Sequence, residues 1–231
     1  MPISEAVQQW WPLPRSLDLV LGPIKVVASA VLAEVTRFVM GEQLASAWMP
    51  FSSFDQVFGS VAVFTNVPTV YFVLPTRSDW TVIWNNSFLC DGYDSLCSCL
   101  TTNHNLSTMH WSSSDEDAVF QAGSSFTFRQ RSNSGLCERS VYCGKNDNRW
   151  EFHAVGNPLP EEDLAQYEAR RKRDRLNEQS MFKLLDKLGA RPWDAEFYRA
   201  GEAFRIERVA YPDTISQKRF GEFACKRAES S

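Results

Sequence analysis

The sequence predicts an α+β domain: a mostly antiparallel sheet of five to six strands with N-terminal and C-terminal helices packed on it. Three observations carry that reading. Apolar residues recur at three- and four-residue steps before residue 40, β-branched and aromatic runs alternate with polar clusters through the middle, and helix formers take over from Pro160.

The first apolar run, Leu17 to Met40, carries Asp18, Lys25, Glu34 and Arg37, charges that would be costly in hydrocarbon, and so reads as a core helix and not a membrane span. After Gly22-Pro23, Val27, Ala30, Val31, Val35 and Phe38 line one helical face, and Gly41 is the expected C-cap. Between Trp48 and Asn66 the aromatic residues fit helix and strand equally. Next, residues 69–74 and 80–84 are two β-branched and aromatic runs joined by Pro75-Thr-Arg-Ser-Asp79, the pattern of a hairpin. Tyr93, Leu96, Cys97 and Leu100 then predict a short helix over 92–102. Residues 106–111, 124–131, 136–143 and 149–155 are four short strands divided by turn clusters, which makes an antiparallel meander. Phe126 and Phe128 share one face there, with Thr127 and Arg129 on the other. From Pro160, Glu161, Glu162 and Asp163 supply negative charge to a helix N-terminus, and the stripe of Met181, Leu184, Leu185 and Leu188 ends at Gly189. Residues 203–209 alternate and return as an edge strand. The expected organisation is a helical segment over 1–60, the sheet with one short helix over 61–160 and a helical segment over 161–231, in one continuous domain.

Composition narrows the function. The 231 residues hold 24 Lys and Arg against 28 Asp and Glu, a net charge of −4, so the clear basic excess of a phosphate-wrapping protein is missing. With 44% hydrophobic residues the chain has the material for a core and is not a disordered polymer. Six Cys are too sparse for a disulfide scaffold, and the N-terminus shows no basic, apolar secretory leader, so a cytoplasmic protein with reduced thiols is expected.

Trp84 to Cys99 is the segment richest in chemistry, with three thiols, two carboxylates and two amides. Cys97 and Cys99 stand about 200° apart around a helix, an awkward start for joint ligation. Cys90, Cys97, His104 and His110 lack an anchoring Cys-x-x-Cys pair, so no metal and no cofactor is expected. A nucleophilic thiol with a His base is the enzymatic alternative, with Cys90, Cys97 or Cys99 attacking and His104, His110 or His153 activating; the set to examine for it is Cys90, Cys97 and His110. Glycine-rich phosphate loops, His-Glu-x-x-His and Gly-x-Ser-x-Gly are missing. An RNA-binding regulator is the second alternative, resting on the basic run at 170, 171, 172, 173 and 175. Glu161, Glu162, Asp163, Glu168 and Asp174 offset that run, and Glu168–Lys172 and Arg170–Asp174 have the spacing of a salt-bridged helix face. Arg129 and Arg131 beside Phe126 and Phe128 could stack bases, but amphipathic alternation already explains them.

Eight Trp and sixteen Phe are more large aromatics than one core ordinarily needs, and Trp concentrates at binding hot spots. An acidic, aromatic-rich α+β chain without a catalytic motif fits a protein-binding module with a basic partner. The expected partner-binding residues are Asp91, Tyr93, Asp94, Trp111, Asp115, Glu116 and Asp117.

Residues 80–95, and Arg149-Trp-Glu-Phe-His-Ala-Val-Gly-Asn-Pro-Leu-Pro-Glu-Glu-Asp163 followed by Tyr167 and Arg170–Arg175, are similar to small uncharacterised bacterial proteins, some of them thought to neutralise toxins. The resemblance spans roughly residues 69 to 198 and rests on aromatic and turn positions. It implies a bacterial cytosolic protein with at most an immunity-like role, binding a basic toxin domain without catalysis, and it supplies no functional residues.

Overall fold

Strand β1 (Arg15–Leu21) explains much of the architecture, because its alternation sends Leu17 and Leu19 to one face and Asp18 and Val20 to the other, and both faces are buried. The structure is a computed structural model and describes residues 15–39, 43–61, 64–87, 93–114, 122–133, 135–210 and 217–218. The elements that follow are α1 (Ile24–Phe38), β2 (Leu44–Phe51), α2 (Phe54–Gly59), β3 (Phe64–Thr65), β4 (Val70–Leu74), β5 (Trp80–Asn85), α3 (Tyr93–His104), β6 (Thr108–Ser114), β7 (Gly123–Ser132), β8 (Gly135–Asn146), β9 (Arg149–Val155), α4 (Leu164–Tyr167), α5 (Glu178–Lys187), β10 (Gly201–Arg208) and β11 (Gln217–Lys218). Nine strands form one sheet in the order β2-β10-β4-β5-β1-β6-β7-β8-β9, with every neighbour antiparallel.

The α+β class holds, but the sheet has nine strands where five to six were expected. The first extra strand is β1, whose apolar residues run into those of α1. The break falls at Gly22, whose φ of +149° suits glycine, and at Pro23, which presets the N-cap. The second is β2, on the ambiguous aromatic stretch. The third correction concerns β10: it lies between β2 and β4 and is interior, although the sequence placed it at an edge. The 1–60 and 161–231 segments therefore each contribute strands to the sheet. The expected C-cap, Gly41, lies outside the described residues.

Helices cover both faces. On one, α1 and α3 bury Val27, Val31, Val35, Leu96 and Leu100 against Val20, Val73 and Ile83. On the other, α2 and α5 bury Phe54, Val57, Met181 and Leu185 against Leu19, Phe72 and Trp84. Trp84 is the hub of that second core, with Phe54, Phe58, Phe64 and Phe72 at ring-centroid distances of 5.8, 5.9, 6.3 and 5.9 Å. Trp80 is buried as well and donates from Nε1 to the Leu188 carbonyl at 2.8 Å, tying β5 to the end of α5. Much of the aromatic excess is thus core material.

The C-terminal third is less helical than expected. The basic run falls on a 3-10 turn at Lys172–Asp174, with Arg173 and Asp174 as a loose pair at 3.8 Å, so the helical four-residue spacing of Glu168–Lys172 and Arg170–Asp174 is lost. Glu162 does not face a helix start either. It turns inward, where the Arg139 guanidinium donates from Nη2 at 2.7 Å, Leu159 N–H at 2.7 Å and Tyr167 Oη at 2.9 Å. Gly156 makes this possible: at φ +84° its Cβ would stand 2.0 Å from the Glu138 carbonyl oxygen, so the chain can cross β8 closely only with glycine there.

Because Trp84 fills the centre of the aromatic core, Trp84→Ala should lower the unfolding free energy by about 3–5 kcal/mol, measured by urea denaturation.

Candidate functional site

Helix α3 lies over β1, β6 and β7 and brings the richest segment of the sequence onto the sheet. The residue it covers is one that sequence reasoning used only to argue against a membrane span. Asp18 is fully buried at the middle of the central strand and stands directly across from His110 on β6. His110 Nδ1 and Asp18 Oδ1 are 3.0 Å apart, and Tyr93, from the first turn of α3, stacks on the imidazole at 5.9 Å. The Cys97 thiol addresses the same carboxyl from one turn further along α3. Two acceptor or donor atoms on this face of β1, Asp18 Oδ2 and Ser16 Oγ, are buried without a hydrogen-bond partner.

Burial dominates the electrostatics. Desolvation pushes the Asp18 carboxyl above its ordinary value, and the bond and charge of His110 pull against it. The Cys97 thiol is driven well above the usual cysteine range, first by desolvation and then by the adjacent Asp18 charge. A thiol becomes a nucleophile as the thiolate, and this environment suppresses the thiolate. The structure therefore brings Cys97 and His110 to one carboxylate but in a form unsuited to thiol chemistry.

The rest of the predicted set is dispersed. Cys99 and His104 gather at a second buried carboxylate, Glu34 of α1, which meets His104 Nε2 at 2.8 Å and accepts from Asn103 Nδ2 at 3.1 Å. Burial raises Glu34, but those bonds and the Arg37 charge outweigh it and hold the carboxyl below its ordinary value. The Cys99 thiol is raised by burial and by Glu34. His153 sits exposed on β9, stacked on Tyr142. Cys90, Asp91, Asp115, Glu116 and Asp117 lie outside the described residues. Among the described residues, no group of three or more His, Cys, Asp or Glu is placed to hold a metal ion.

Two members of the expected partner-binding set are buried. Trp111 points into the second core beside Phe182, and Tyr93 is buried with its hydroxyl on the backbone N–H and carbonyl of Asn85, at 2.8 and 3.2 Å. The two amides are structural too, since Asn86 Oδ1 accepts from the N–H groups of Thr69 and Val70, both at 2.9 Å, and so joins the end of β5 to the start of β4. Asp94 does reach the surface. Arg129, with its side chain 8% exposed, donates to both Asp94 oxygens at 2.8 and 3.2 Å and from Nε to Glu138 at 2.7 Å, leaving the two carboxylates 57% and 45% exposed. Sequence reasoning missed Asp18, Glu34, Glu138 and this role of Arg129. The only local signal was a lone carboxylate inside an apolar pattern, at 18 and again at 34. Phe126 and Arg129 prove to lie on opposite faces of β7, so no aromatic-basic strand face exists there.

No family model matches the chain, and no curated protein or solved structure matches it. No helix among the described residues is long and apolar enough to cross a membrane.

With Cys97 buried and its thiol raised, iodoacetamide at neutral pH should label the exposed Cys137 of the native protein while leaving Cys97 unmodified until denaturant is added. Peptide mass spectrometry reads this directly, and rapid native labelling of Cys97 would be the contrary result.

Proposed function

We propose that this chain is a non-enzymatic binding protein of the bacterial cytoplasm, and that the end of α3 carrying Asp94 recognises a basic protein, a toxin domain in the sharpest form of the reading. The observation that carries the proposal is the arrangement around Arg129. A nearly buried guanidinium holds two half-exposed carboxylates in fixed orientation, while the thiol and the Asp18–His110 pair beneath are turned away from solvent. Oriented carboxylates on an acidic chain suit charge-complementary docking, which speeds encounter and selects the partner. The excess of 28 acidic over 24 basic residues supports the same direction.

Affinity capture of the tagged protein from its native cytosol, at low and high salt, tests it. A stoichiometric partner is expected that arrests growth when expressed alone and is silenced by co-expression. Glu138→Gln should weaken that complex severalfold by removing one of the two displayed charges, with thermal unfolding little changed because the amide oxygen still accepts from Arg129 and Asp94 still pairs with it. No protein partner, or a partner held equally by the variant, would overturn the reading.

A further inference from the structure

The two margins of the nine-stranded sheet are built differently. Strand β9 carries Arg149, Glu151 and His153, the kind of charge that keeps an open edge from pairing with other chains. Strand β2 has no charged residue from Leu44 to Phe51, and among the described strands it pairs on one side only, with β10. Residues 45–48 are exposed on both faces, and Trp48, 38% exposed, rests on Phe204 at a centroid distance of 4.9 Å. Pro50 cannot donate to a neighbouring strand, but residues 44–49 carry no charge and no proline, and an uncharged edge is a template for another strand.

The sequence of β2 also says which strand. We propose that β2 pairs antiparallel with β2 of a second copy of this chain, about a two-fold axis at Ala47, so that two sheets join into one. Directly opposed residues of an antiparallel pair share a face, so a two-fold self-pairing must centre on a residue. Centred on Ala47 it sets Ser46 opposite Trp48, Ala45 opposite Met49, Leu44 opposite Pro50 and Ala47 opposite itself. Trp48 and Met49 then each meet a small residue, Ser46 and Ala45, twice over by symmetry, as an isologous interface requires. Centred on Trp48 it would drive two indoles together at a Cβ separation of about 5 Å, and centred on Ser46 it would set Trp48 opposite Leu44. No charge lies opposite a like charge in the Ala47 register, because the strand has none. The indole of each copy, already seated on Phe204, would cover the small residues of its twin.

The test uses the whole chain and three variants at exposed positions, none of which disturbs the core. Wild-type protein in the tens of micromolar range should sediment at twice its 26.3 kDa mass. Ala47→Lys sets two ammonium groups face to face and should raise the dimer dissociation constant roughly a hundredfold, with an unchanged circular dichroism spectrum. Under mild oxidation Ala47→Cys should give a covalent dimer that wild type does not, since opposed Cα atoms stand about 4.5–5.5 Å apart, within disulfide reach. Ala45→Cys should not, its own twin being four positions away along the strand. A monomeric wild type would overturn the proposal, leaving a strand of some other protein as the occupant. So would a dimer indifferent to Ala47→Lys, or one that cross-links at 45 and not at 47.

Discussion

A carboxylate at the centre of the sheet is the constraint around which the α1–α3 side of this fold is arranged. Asp18 lies in the middle strand of nine and is removed from solvent, so any partner for its carboxyl must come from the protein, which supplies one for Oδ1 and leaves Oδ2 without a hydrogen bond. The strand register supplies His110 directly opposite, and α3 crosses above to bring Cys97 and Tyr93 onto the same spot. The same helix is held further along by Thr101 and Thr108, whose hydroxyls are 2.9 Å apart, and at its end by His104 and Asn103 on Glu34 of α1. Polar contacts thus fix the position of α3, and its apolar residues fill what remains between α1 and the sheet.

That placement decides what the neighbouring chemistry can be. A helix seated on a buried Asp–His pair closes its thiol off from solvent and raises it further by proximity to the carboxyl. The exposed groups at the same end are then carboxylates, and Arg129 organises them by satisfying both at once. The helix N-terminus favours Asp94 as well, through the positive end of its dipole. A fixed acidic display above a sealed interior is the feature on which the proposed docking reading rests.

The sequence made some of this legible and concealed the rest for physical reasons. The β4–β5 hairpin, α3 and the β6–β9 meander were readable because each is specified by local alternation or local turn chemistry. Strand β1 was not, since four apolar residues running into a helical apolar pattern have no period of their own to separate them. Strand β10 alternates as an edge strand would, yet Arg205 lies over the Phe72 ring and beside Glu207 at 2.8 Å, so its polar residues are accommodated inside the sheet. The charge run near residue 172 looks the same on a helix or on turns, and only the inward rotation of Glu162 decides between them. The site was legible as a region and not as a set of partners: Cys97 and His110 were singled out, but the carboxylate joining them is 79 positions from one and 92 from the other.

The claim at the centre is that Asp18 and His110 are energetically one unit. A double-mutant cycle tests it most directly, with Asp18→Ala, His110→Ala and the double variant each unfolded in urea. Each single change should cost about 1–3 kcal/mol by leaving a buried polar group without its partner, and the double should cost less than their sum by more than about 1 kcal/mol. Additive losses, with no coupling between the two positions, would contradict the account.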